Sequence, residues 1–156
     1  MGNDEDVRWL AAEEQRAWRA WLDAHAGLSA RLNRELQASS GLSLSDYDVL
    51  VHLTDVPEGR LRAFELGEGL EWEKSRVSRQ VGRMASRGLV TRKASPEDGR
   101  GAYVTITAAG RRAIEDAAPA HVELVRRLLF DGLSAAQVQN LSRVALSVIR
   151  RLGEQT

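Results

Sequence analysis

Between Lys74 and Lys93 the chain carries seven basic side chains, Lys74, Arg76, Arg79, Arg83, Arg87, Arg92 and Lys93, and no acidic one. Positive charge gathered into one element of a balanced chain is what a phosphate-binding surface requires. A merely solvated helix face normally mixes signs, because Glu–Lys pairs four residues apart stabilise a helix. With Val77 at zero on a helical wheel, Val81 and Met84 fall within about 40° of it and form a core-facing stripe. Ser75, Arg79, Gly82, Arg83 and Ser86 lie on the far side, with Arg76 at their flank and Ser78 nearby. Arginine binds guanine O6 and N7 in bidentate fashion, serine reaches a base or a phosphate, and small residues let a backbone approach. The chemistry on offer is recognition of duplex DNA from the major groove. Arg92 and Lys93, at the end of a β-rich run, and Arg100, in the projecting loop that follows, add a second basic feature suited to the adjoining minor groove. An ion pair between Arg100 and Asp98 is the plainer reading of that arginine.

The elements that must carry these residues follow from periodicity. Residues 6–38 read as one long helix, with Leu10, Trp18, Trp21, Leu22, Leu28, Leu32 and Leu36 at helical spacing. Ser39-Ser40-Gly41 ends it. Ser45 reads as the N-cap of a second helix, with Asp46 and Asp48 complementing its dipole. Pro57-Glu58-Gly59 is a turn, and Arg60-Leu61-Arg62 has room for one short strand. A brief helix over 63–69, closed by Gly67 and Gly69, precedes the basic helix, which opens near residues 71–73 and stops at Arg87 before Gly88. This is a helix-turn-helix order. Two β-rich runs, 89–93 and 103–106, flank Asp98-Gly99, a hairpin signal. Thr107 caps a helix that continues, kinked at Pro119, to about Phe130. Ser134 caps the last helix, 135–152.

Composition narrows the classes. Twenty-two basic and 22 acidic side chains cancel, so the argument for nucleic acid rests on distribution alone. The absence of cysteine removes disulfides and thiolate sites and suits a reducing cytoplasm, the expected location. No apolar run approaches the ~20 residues that span a bilayer, and the acidic stretch from Gly2 to Asp6 lacks the order of a signal peptide. His25, His52 and His121 are scattered, so neither a metal site nor a cofactor is expected. No nucleophile elbow, phosphate loop or His-Glu-x-x-His motif suggests an enzyme. A winged helix used for protein contacts would need an apolar or acidic outward face over 73–87, and the arginines oppose it.

Val77-Ser78-Arg79, Arg87-Gly88-Leu89-Val90, Asp98-Gly99-Arg100 and Thr107-Ala108-Ala109-Gly110, in this order, resemble the MarR family of bacterial transcription regulators. The resemblance covers about residues 30–152. It implies a mainly α fold with a small β-hairpin wing, a winged helix-turn-helix over 39–107, and dimerisation helices over 1–38 and 108–156. It implies a homodimer on a pseudo-palindromic operator, acting as a repressor released by a small aromatic or lipophilic ligand. The implied DNA contacts are Lys74, Ser75, Arg76, Ser78, Arg79 and Arg83, with Asp98 and Arg100 matching the wing's Asp-x-Arg. Arg76 departs from the family, which often has a small Thr or Ala there. Apolar residues in excess of what a core of about 70 residues would bury also argue for a partner surface. Trp18, Trp21 and His25 share one face of the first helix, and Tyr47 and His52 lie on the second. The family's ligand cleft lies between those elements and the helix after the wing, which makes these five the candidate effector contacts. Tryptophans at helical spacing also serve simply as core or interface.

Overall fold

The computed structural model describes residues 7–94 and 101–154. Its elements are α1 (Ala12–Ser40), α2 (Leu44–Thr54), β1 (Arg60–Arg62), α3 (Ala63–Leu70), α4 (Lys74–Ser86), β2 (Val90–Lys93), β3 (Tyr103–Ile106), α5 (Ala108–Val125), a π turn over Arg126–Phe130, and α6 (Ala135–Gly153). The chain is mainly helical, with a small antiparallel sheet ordered β1-β3-β2. In register, Leu61 faces Val104 and Val90 faces Ile106. The expected strand at 60–62 is therefore the third member of the wing sheet.

Several boundaries differ from expectation. Helix α1 starts at Ala12 rather than residue 6, where the Glu14 carboxylate accepts from the Ala11 N–H at 2.8 Å. Its end is as expected, since Gly41 takes a left-handed φ of 71° and returns its N–H to the Gln37 carbonyl. The N-cap of α2 is Ser43, not Ser45. Ser43 Oγ accepts from the Asp46 N–H at 3.0 Å, and Asp46 Oδ2 accepts from the Ser43 N–H at 2.8 Å. That reciprocal pair satisfies two otherwise orphaned donors and outcompetes a cap two residues later. Helix α5 continues through Pro119 to Val125 and then passes into the π turn.

The core gathers Leu36, Leu50, Leu53, Leu66, Val81, Met84, Val104 and Ile114 from α1 to α5. Thr107 caps α5 as expected, accepting from the Gly110 N–H at 3.0 Å while donating to the Gly88 carbonyl at 2.6 Å. A Cβ at Gly110 would run into the Leu89 carbonyl oxygen, which explains glycine at that position. Helix α6, capped by Ser134, contains no buried residue. Among the described residues no helix is long and apolar enough to cross a membrane, and no group of His, Asp and Glu could hold a metal ion.

Candidate nucleic-acid interface

The turn between α3 and α4 is built around Glu71, which adopts a left-handed φ of 54°. Gly67 and Gly69, expected to close α3, lie inside it. Gly67 is buried where the Trp72 carbonyl oxygen would press on a side chain, and Gly69 sits against the His52 ring. The turn is locked by the Trp72 N–H donating to the Gly67 carbonyl at 2.8 Å. Glu73 then takes extended geometry as N-cap of α4 without a side-chain cap bond. The first N–H groups of α4 are left for an outside acceptor, a favourable place for a phosphate.

Val77, Val81 and Met84 are buried, so α4 is rolled as its apolar spacing requires. Lys74, Ser75, Arg76, Arg79 and Arg83 are exposed, and Ser78 is half-buried. The Arg76 guanidinium lies 4.1 Å from the centre of the Trp72 ring, a cation–π contact that holds it at the start of the helix. Arg92 and Lys93 are exposed on β2 beside α4, and Arg92 Nη1 donates to Ser78 Oγ at 3.2 Å. The basic helix and the basic strand thus form one continuous surface. Asp98 and Arg100 lie outside the described residues. A groove of about 980 Å³ lies between α3, α4 and the wing strands, and Phe64, Trp72, Lys74, Ser78 and Arg92 are among the residues that line it.

Gln80 of α4 and Arg87, the C-cap of that helix, play parts that the periodicity does not reveal. Gln80 is buried, at 4 % exposure, and donates through Nε2 to Asp46 Oδ1 at 2.6 Å. Arg87, one of the seven basic residues, turns inward. Its Nη1 meets Asp46 Oδ2 at 2.6 Å and its Nη2 donates to the Gly41 carbonyl at 2.9 Å. Six of the seven remain for an anionic partner.

The five candidate effector residues divide into two groups. Trp18, Trp21 and His25 are exposed on α1. Tyr47 is buried on α2, its ring 4.2 Å from that of His121 on α5. His52 has Nδ1 2.9 Å from the Asp48 carbonyl and Nε2 3.2 Å from the Gly69 carbonyl, both structural partners. A cavity of about 220 Å³ lies between α1 and α5, lined by Leu32, Leu36, Ser39, His121, Leu124 and Arg127. His121 was legible in the sequence only as an isolated histidine. Its Nδ1 is buried without a hydrogen-bond partner among the described residues. Burial lowers the His121 pKa from its ordinary value, with Asp48 acting in the opposite direction. Burial raises the Asp48 carboxyl, opposed by His52, His121 and Arg76. The Tyr47 hydroxyl is raised by burial and then by Asp48.

A short helix, a tight turn and a second helix that shows arginines outward beside a β wing define a winged helix-turn-helix DNA-binding protein. The sequence model of the MarR family matches residues 40–101. The fold superposes on Sco3205 of Streptomyces coelicolor, a MarR family transcriptional regulator crystallised with DNA, with a TM-score of 0.89 and 37% identity over 96% of this chain and 93% of that one. AbsC of the same organism, another MarR family regulator, gives 0.87 and 33% identity over 95% and 99%. The chain belongs to the MarR family of transcriptional regulators, DNA-binding proteins rather than enzymes. A segment of 78 residues is also 42% identical to the transcriptional repressor IacR of Pseudomonas putida, covering 50% of this chain and 46% of that protein's length.

Proposed function

We propose that the chain is a homodimeric repressor that lays α4 in the major groove of each half of a pseudo-palindromic operator and the wing in the adjoining minor groove. The observation that carries this reading is the polarity of α4: Val77, Val81 and Met84 are buried while Arg76, Arg79 and Arg83 are exposed. Lys74, Ser75, Ser78, Arg92 and Lys93 surround that face and supply phosphate contacts, and Asp98 and Arg100 are included as the two residues whose sequence matches the family's Asp-x-Arg. Sco3205, so similar in sequence and shape, is a DNA complex, and IacR is a repressor; both favour the reading.

Dimerisation through residues 1–38 and 108–156 is supported by apolar surface that this chain leaves uncovered. Trp18, Trp21, Val144, Val148, Ile149 and Leu152 are all 48% exposed or more. A twofold axis would set two copies of α4 about one DNA turn apart, ~34 Å. A small aromatic or lipophilic effector would enter where α1, α2 and α5 meet, near Tyr47, His52 and the His121 cavity, with Trp18, Trp21 and His25 available from α1. Selection of binding sites from random duplexes, followed by gel shifts at rising salt, tests the reading. A recovered palindrome bound with a steep salt dependence is expected. Recovery of no preferred sequence would refute it.

A further inference from the structure

Arg83, on the outward face of α4, is tied to a chain of hydrogen bonds that ends at the start of α2. Its Nη2 donates to Gln80 Oε1 at 2.6 Å. Gln80 Nε2 donates to Asp46 Oδ1 at 2.6 Å. Asp46 Oδ2 is in turn held by the Ser43 N–H at 2.8 Å and by Arg87 Nη1 at 2.6 Å. Asp46 and Gln80 are 2 % and 4 % exposed.

The direction of this chain is fixed by chemistry. An ionised carboxylate only accepts hydrogen bonds, so the Gln80 amide must turn its NH2 group toward Asp46. Its carbonyl oxygen then has to face the other way, toward Arg83, which only donates. Asp46 cannot swing to relax this, because a backbone N–H and a guanidinium hold its second oxygen. Burial explains why Gln80 needs Asp46, but it does not explain the Arg83 bond. Arg83 is exposed and water would satisfy it at no cost. Holding a long, mobile side chain in one direction before the partner arrives reduces the entropy lost on binding.

We infer that Asp46 and Gln80 are positioning residues for operator recognition, setting the direction of the Arg83 guanidinium, and so the base step it reads, without touching DNA. The inference rests on the assignment of α4 as the recognition helix. Arg76, Gln80, Arg83 and Arg87 follow one another at four- and three-residue steps along the flank of α4. A stripe of that spacing shares one side of a helix. Asp46 therefore acts on α4 both at its last turn and, through Gln80, at its middle.

The test uses the full-length protein and compares binding-site selections for the wild type, Arg83→Ala, Gln80→Leu, Asp46→Asn and the Gln80→Leu/Arg83→Ala double variant. Thermal unfolding establishes that each is folded. Gln80→Leu is expected to weaken the preferred site about tenfold, the scale of one well-placed base contact. It should relax preference at the same base positions as Arg83→Ala, and the double variant should lose little more than either single one. Asp46→Asn, which lets the Gln80 amide face either way, should relax those positions too; it serves as the deciding variant if Gln80→Leu does not fold. A retained selection profile, or a uniform loss at all positions that adds to that of Arg83→Ala, would overturn the relay alone. A wild type that selects no sequence would overturn the assignment of α4 and the relay with it.

Discussion

Arg87 closes the end of α4 onto Asp46 at the start of α2, across 2.6 Å of space and 41 residues of sequence. Asp46 is 2% exposed, whereas the arginine side chain is 43% exposed. Replacing Arg87 by alanine leaves a buried carboxylate with one charged partner fewer. The expected cost is about 2 kcal/mol, below the range for a fully buried pair because water reaches the arginine. Arg87→Lys should recover only part of this, since an ammonium cannot span both Asp46 and the Gly41 carbonyl as a planar fork does. Urea unfolding at fixed protein concentration measures it. Stability equal to that of the wild type would return Arg87 to the DNA-facing set.

The remaining basic residues should fail differently when removed. Arg79 is exposed on α4, and Arg100 matches in sequence the Asp-x-Arg of the family. Arg79→Ala and Arg100→Ala should each weaken operator binding, by about 1–3 kcal/mol if the lost contact is to a base, while leaving the mass of the dimer unchanged. Lys93→Ala should instead weaken all sequences alike and reduce the salt slope by about one, as a phosphate contact does. Fluorescence anisotropy with operator and random duplexes separates the two behaviours. Unchanged affinity in both arginine variants would refute the site.

His121 makes stability depend on pH with a definite sign. Its pKa is lowered from 6.5 in the folded protein, chiefly by burial. The unfolded chain therefore takes up a proton first as pH falls, and stability is lost below about 6.5. Asp48 acts in the opposite sense further down, because its raised pKa lets the folded protein take up the proton first. His121→Phe keeps a ring against Tyr47 and removes the titration. The drop in unfolding midpoint between pH 7.5 and 5.5 should be smaller in this variant than in the wild type. An equal drop in both would assign the pH dependence to other groups.

How much of this was legible in the sequence depended on the range of each interaction. The roll of α4 could be read because Val77, Val81 and Met84 repeat at helical spacing and all lie on one chain segment. Gln80 was missed because a polar residue about 60° from that stripe fits equally well at a solvated margin. Arg87 looked like its neighbours because its partner lies on another helix. The cap of α2 was in principle readable, since Asp46 stands three residues after Ser43 and Asp48 three after Ser45, but only packing selects the first pair. Glu71 was hidden by the glycines beside it, which are the usual owners of a positive φ. Those glycines are needed for close packing instead. Tyr47 and His121 meet only once α5 has folded back over α2, so their contact had no local signal.

Helix α6 poses the last question, because among the described residues none of its side chains is buried and Val138, Leu141 and Ala145 are only half-buried. Val138, Leu141, Ala145, Val148, Ile149 and Leu152 recur at helical spacing along one side, and Ile149 and Leu152 are 62% and 64% exposed. A stripe of that kind left in water forgoes about 1.5–3 kcal/mol for each large side chain it does not bury. Covering it with the same stripe of a second copy gains that energy twice, since a twofold interface uses every residue on both sides. Charging the stripe should therefore break the pair while leaving the winged helix, whose core lies elsewhere, folded. The double variant Ile149→Asp/Leu152→Asp is expected to sediment as a monomer and to retain a cooperative unfolding transition. Its affinity for a single half-site should be close to that of the wild type, but binding to the full operator should fall at least a hundredfold, roughly the advantage of linking two half-sites. A variant that stays dimeric would move the interface off α6, and a monomer with undiminished operator affinity would show that the two half-sites are read independently.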